Sequence, residues 1–220
     1  MKTYRIKQIN AFTAKPFSGN PAAVVLDAKG LSESKMQAIA REMNLSETAF
    51  ILPPSLNNAD LQIRWFTPAV EVPLCGHATI ASFHALAEEG LYGMKRSGTY
   101  SFRLQTKSGV LPVEVEKKYS GTIVDFEIPV PAFHKLRSVR GPLLKAVGLK
   151  TSELHPKLPT VKNSFLYIPV RTYSTLKKLK PDYASLEDVS RAMKVLGVCI
   201  FTLQTIEESS AVHSRVFVPA

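Results

Sequence analysis

The sequence predicts an α+β fold made of two similar, mostly antiparallel units, the first closed around one buried helix. Three observations predict it. Short runs alternate apolar and polar residues at period two over much of the chain, the pattern of half-buried strands. From Gly76 to Ala87 the only non-apolar side chains are His77, Thr79, Ser82 and His84, so this stretch reads as a helix buried on nearly every side. Finally, Arg64-Trp65-Phe66-Thr67-Pro68-Ala69 returns as Arg215-Val216-Phe217-Val218-Pro219-Ala220 in the form R-x-F-x-P-A. Each copy follows a helix and then a hydrophobic strand, which points to an internal duplication. The charged turn at residues 117–121 suggests a boundary giving units 1–118 and 119–220.

The elements follow in order. Tyr4 to Phe12 reads as a strand, with Lys2, Arg5 and Lys7 towards water, and Pro16 to Pro21 as a loop before the buried strand Ala22 to Leu26. Ser32 is placed to cap a helix on which Met36, Ile39, Ala40 and Met43 recur at helical spacing, ending near Asn44. Strands are expected at Thr48 to Leu52 and over Leu61, Ile63 and Trp65. Pro68 and Pro73 break the chain before the buried helix, and Gly90 and Gly93 end it. Hairpin turns at Lys107-Ser108-Gly109 and Tyr119-Ser120-Gly121 join three further strands. The second half offers a short helix from Pro142 to Val147, a strand from Phe165 to Val170, a helix carrying Leu186, Val189, Met193 and Leu196, and the strand Val198 to Leu203. After the second R-x-F-x-P-A copy the sequence stops, so the second unit is expected to lack a central helix and closing strands.

Composition narrows the function classes. The formal charge is +10, but the basic excess is shared by both halves, whereas a nucleic-acid footprint gathers Lys and Arg on one face. The densest basic run, Arg171 to Lys180, spaces its lysines as a solvated helix face does. No apolar run reaches the roughly 18 residues of a membrane span, and the Met1 to Arg5 start lacks a signal segment, so the cytoplasm is the expected compartment. Cys75 and Cys199 are too far apart in sequence, and without paired spacing, to suggest a disulfide framework or zinc site.

The Cys75-Gly76-His77 turn is the chemical focus. Backbone N–H groups at a helix start lack intrahelical partners and suit an anion, and glycine lets the anion approach. His77 and His84 lie seven residues apart, roughly 10 Å along a helix axis at about 1.5 Å per residue, too far to share a metal ion. A Cys75–His77 hydrolase dyad is not expected either, because residues i and i+2 of a turn entering a helix do not face each other.

Phe12 to Val25 (FTAKPFSGNPAAVV), Asn44 to Leu52 (NLSETAFIL) and Arg64 to Ser82 (RWFTPAVEVPLCGHATIAS) resemble, in order, the N-terminal signatures of the phenazine-biosynthesis isomerase-like (PhzF-like) family. Weaker likeness in GVCIFTLQT and HSRVFVPA extends the match to nearly the whole chain. The resemblance implies the diaminopimelate epimerase fold, two pseudo-repeated domains each with a barrel-like sheet around a central helix, and a site between them that uses no cofactor and no metal. It implies that Glu47 transfers the proton, that His77 assists, and that Gly76, Cys75 and Asn20 bind substrate. Related epimerases use a thiol as acid or base; here Cys75 reads as lining the site. Asn10 stands where the family commonly has aspartate. The family's D-P-x-T-G-S-A segment would follow Ala220, and its absence is expected to impair turnover, since such a site needs groups on both faces of its substrate. The expected function is a cofactor-independent isomerase of a small carboxylate-bearing metabolite, with a second copy of the chain as a candidate partner. The alternative is a non-catalytic binding or assembly protein that keeps the anion pocket of the first domain.

Overall fold

A computed structural model describes residues 3–15, 17–128, 130–139 and 141–219; the Met1-Lys2 start, Pro16 of the first loop and Ala220 of the second repeat copy lie outside them. The chain divides into one unit over Met1–Pro129 and another over Val130–Ala220. The expected boundary after residue 118 falls instead inside a hairpin of the first unit, where Lys118 pairs with Gly121. Charge and turn residues there mark a tight reversal, not a linker, because the strand that follows places Val124 in the first core.

In the first unit the sheet runs in the order β1 (Ile6–Ala11), β2 (Asn20–Val25), β3 (Glu47–Leu52), β4 (Leu61–Phe66), β6 (Gly98–Thr106), β7 (Gly109–Lys118) and β8 (Gly121–Phe126), with the short β5 (Glu71–Val72) added beside β4. Pairing is antiparallel except for β2 with β3 and β4 with β6. Alternation along the strands sorts the side chains onto two faces. Ala49, Ile51, Leu61, Ile63 and Trp65 join one core around α2 (Gly76–Glu88), while Val25, Phe50 and Phe66 join another beneath α1 (Glu33–Met43). The α1 helix starts where Ser32 Oγ accepts from the Lys35 N–H, and it ends at Asn44 in the left-handed conformation. Phe12, expected in the first strand, lies past its end with φ 63°.

The α2 helix touches β1, β2, β3 and β8, so the sheet curls around it from one edge to the other. The helix is wrapped on three sides, not all four. His77, Ile80 and His84 form a half-buried stripe at helical spacing, while Ala78, Ala81, Phe83, Ala85 and Leu86 are fully buried. The reason lies in the sheet. Its terminal strands β1 and β8 do not pair with each other, and the seam between them is a cavity of about 1050 Å³ floored by Ile80, Ala81 and His84. No helix among the described residues is long and apolar enough to cross a membrane.

The second unit has the sheet order β13 (His213–Phe217), β12 (Gly197–Thr202), β11 (Phe165–Pro169), β10 (Val161–Lys162) and β9 (His134–Lys135). Its helices are α3 (Gly141–Val147), α4 (Tyr173–Lys178) and α5 (Tyr183–Met193), and Leu143, Leu176 and Leu186 from them enter one core with Leu166, Ile168 and Ile200. On the other face, the register row Tyr167, Cys199 and Val216 is half-buried to exposed.

The duplicated motif marks a duplicated topology. In the first unit β2 crosses through α1 to the parallel β3, which turns back into β4. In the second, β11 crosses through α4 and α5 to the parallel β12, which turns back into β13. Both copies end on an Arg stacked over its motif Phe: Arg64 lies 5.2 Å from the Phe66 ring and Arg215 4.8 Å from that of Phe217. Each repeat has a left-handed residue closing the crossover helix, Asn44 and Lys194, three residues before the strand begins. That correspondence places Gly197 in the second repeat where Glu47 stands in the first. A Cβ at Gly197 would lie 2.4 Å from the Phe217 carbonyl oxygen, so this backbone approach excludes any side chain, a carboxylate included.

Candidate active site

Glu47 is the first residue of β3, and alternation puts its side chain on the α2 face with Ala49 and Ile51. The α2 helix begins beneath that strand end, and His77 is its second residue. Residues 30 positions apart therefore meet: His77 Nε2 lies 3.3 Å from Glu47 Oε2 and 3.4 Å from Ser46 Oγ. The His77 side chain is 10% exposed and that of Glu47 19%. Although Oε2 is close to the ring nitrogen, it is buried without an aligned hydrogen-bond donor. Such an unmet acceptor costs about 1–3 kcal/mol.

Cys75 completes the cluster from the other side, its Sγ 3.4 Å from His77 Nδ1. This corrects the expectation that Cys75 and His77 would not face each other. The rule for i and i+2 holds inside a helix, but Cys75 is the residue before α2, extended at φ −139° and ψ 118°. From there its side chain turns back towards the ring. Burial, reinforced by the negative charge of Glu47, pushes the thiol up to about 12, so it is protonated at neutral pH.

Glu47, Cys75 and His77 offer ligand atoms within 4.8 Å of one another, a spacing that invites comparison with a metal site. The contacts point elsewhere. Sulfur addresses Nδ1 and Ser46 Oγ addresses Nε2, so both ring nitrogens already have hydrogen-bonding partners. The Glu47 carboxylate packs beside them without an aligned donor.

Gly76 opens α2, and its exposed backbone lies beside the cluster. A Cβ there would meet only the Phe126 ring, at an ordinary 3.8 Å, so packing within the chain does not itself require glycine. Asn20 begins β2 at the same end of the sheet, two residues before Ala22, the register partner of Glu47. Among the described residues no hydrogen bond or ion pair joins its side chain to Glu47, Cys75 or His77. Sequence reasoning passed over Ser46 as a site residue. Its only signal was adjacency to Glu47, because its contact depends on where β3 ends relative to α2.

The sequence profile described as "Phenazine biosynthesis-like protein" matches residues 9–220. The isomerase YfhB of Bacillus subtilis, itself uncharacterized, is 36% identical over 221 residues, covering 99% of this chain and 73% of that protein. The trans-2,3-dihydro-3-hydroxyanthranilate isomerase of Pseudomonas chlororaphis is 35% identical over 181 residues, 81% of this chain and 61% of that one. A PhzF-family phenazine biosynthesis protein from Bacillus anthracis superposes with a TM-score of 0.85 at 32% identity, covering 99% of this chain and 73% of the other. A probable proline racemase from Agrobacterium radiobacter K84 shares the fold alone, with a TM-score of 0.64 at 13% identity over 98% of this chain and 71% of that one.

Proposed function

Because this chain belongs to the phenazine biosynthesis-like protein family, with relatives named as isomerases, we propose that it is a cofactor-independent isomerase acting on a small carboxylate-bearing molecule. Glu47 carries the proton. Its carboxylate takes a proton from a carbon made acidic by conjugation, and the electron pair left behind delocalises through the neighbouring double bond. The same carboxyl group, once its proton has exchanged with water, delivers a proton to the far carbon of that system, so the double bond moves and the composition is unchanged. His77, held 3.3 Å away, assists that transfer as the polar group next to the carboxylate. The N–H groups at the start of α2 hold the substrate carboxylate, and the lack of a packing reason for glycine at position 76 fits a ligand that comes close to that backbone.

The observation that supports this reading most is the buried, unsatisfied Oε2 of Glu47. A structural carboxylate at that depth would have its acceptors filled, and a base awaiting a C–H proton would not. The Pseudomonas relative is named for trans-2,3-dihydro-3-hydroxyanthranilate, a carboxylated ring, and that compound is the first substrate to test. Incubation with it in deuterated water should add one deuterium to recovered product, read by mass spectrometry. Turnover with no solvent deuterium in the product would refute a shuttle through a side chain that exchanges with water. No turnover of this or other small cyclic and acyclic carboxylates would refute the substrate class.

A further inference from the structure

We propose that Cys75 is a positioning residue: its thiol donates a hydrogen bond to Nδ1 of His77 and thereby holds the ring with its Nε2–H turned to Ser46, beside Glu47. The proposal rests on the isomerase reading for its purpose, but not for its test. Sγ and Nδ1 lie 3.4 Å apart, within hydrogen-bonding range for sulfur. Neutral imidazole carries one N–H, and the nitrogen that accepts a bond dictates that the proton sits on the other. With the S–H directed at Nδ1, that proton is on Nε2. Ser46 Oγ stands there to receive it at 3.4 Å, with Glu47 Oε2 close by at 3.3 Å but not aligned to accept. The reverse arrangement, with Nδ1–H donating to sulfur, would set an Nε2 lone pair 3.3 Å from a carboxylate oxygen, two acceptors in close approach even if the Ser46 hydroxyl donates to that nitrogen.

The local backbone makes this assignment specific. Cys75 precedes α2 in an extended conformation, and its carbonyl accepts from both the N–H and the Oγ–H of Thr79, at 3.0 and 2.6 Å. Those two bonds fix the residue from which the thiol projects. A buried thiol beside a carboxylate stays protonated well above neutrality, which suits a donor and argues against the thiolate that acid–base chemistry at sulfur needs. Cys75 thus acts through His77, not on the substrate.

The substrate-free chain supplies the test. Infrared spectra of the S–H stretch should show two bands, one lost in Cys75→Ser and the other in Cys199→Ser. The Cys75 band should lie below the position of an unbonded thiol and move up to it in His77→Phe. In parallel, the ¹⁵N shifts of His77 should show a protonated Nε2 and an unprotonated, hydrogen-bonded Nδ1. Cys75→Ala should move Nδ1 to the unbonded range, and Cys75→Ser, which keeps a donor, should restore it. Absence of a Cys75 S–H band in the wild type, a protonated Nδ1, or ring shifts unchanged in Cys75→Ala would each overturn the proposal. A chain with no isomerase activity would leave these spectra as expected, so the two readings fail separately.

Discussion

Replacing Phe83 by alanine tests whether α2 is held as the packing indicates. Phe83 is fully buried on that helix, its ring 5.4 Å from that of Phe102 in a cluster that also contains Trp65. Truncating a buried Phe costs about 3–5 kcal/mol, partly as lost transfer energy and partly as the cavity left behind. Against a domain stability of about 5–15 kcal/mol, that is a large share. With a urea slope of about 1–3 kcal/mol per molar, the unfolding midpoint should fall by about 1 M or more. Trp65 is the sole tryptophan and is 1% exposed, so its fluorescence reports on this core directly. As a control, Val216→Ala removes an exposed side chain of the second unit and should change stability by no more than about 0.5 kcal/mol. A Phe83→Ala midpoint within about 0.3 M of the wild type would refute the claim that the curled sheet clamps the helix that carries His77.

Four further outcomes follow from particular contacts. Burial alone would raise the Glu71 carboxyl, but Arg64 and Lys107 outweigh it and hold it below the usual range. A folded value below the unfolded one adds stability above the ordinary carboxylate range, and that stability is lost as pH falls through the depressed value. Glu71→Gln should therefore flatten the acid limb of a stability–pH profile, and an unchanged limb would contradict the pairing. Arg64→Ala leaves Glu71 without its bidentate partner and should cost about 2–3 kcal/mol in chemical denaturation, less than the roughly 3–5 of a fully buried pair. Gly197→Ala drives a Cβ into the Phe217 carbonyl and should destabilise the second unit by about 1–3 kcal/mol, read by thermal unfolding; a neutral result would contradict the close approach of β12 and β13. Finally, the Cys75 thiol should react sluggishly with iodoacetamide at neutral pH and somewhat faster in Glu47→Gln, where burial, its main restraint, remains.

Much of this arrangement was legible in the amino-acid sequence because it rests on local rules. Ser32 and Asn44 bracket α1 through side-chain capping and a left-handed residue, and the period-two runs became strands with at most a few residues' difference at their ends. The R-x-F-x-P-A pair identified a repeat whose β–α–β–β topology the two sheets share. What escaped sequence reading depends on distant partners. The two-residue strands β5, β9 and β10 have no periodicity of their own and exist only beside a longer neighbour. The open stripe on α2 could not be seen in a run so apolar, since Ile80 and His84 are exposed by a seam between strands more than 100 residues apart. Among the candidate site residues, Glu47, Cys75 and His77 are brought into contact, and Gly76 adjoins them. The Cys75–His77 contact was missed because a helical rule was applied one residue outside the helix. Ser46 was missed because register, not composition, places it.

The most direct measurement of the central claim is solvent-deuterium incorporation by Glu47→Gln set beside the wild type, with trans-2,3-dihydro-3-hydroxyanthranilate as the probe. Glutamine preserves the shape of the side chain and removes its capacity to take a proton, and Trp65 fluorescence verifies that the first core is intact. The account predicts that the wild type incorporates one deuterium per turnover and that the variant incorporates none above the uncatalysed rate. A folded Glu47→Gln chain that incorporates deuterium at the wild-type rate would contradict it and assign the proton transfer to another group.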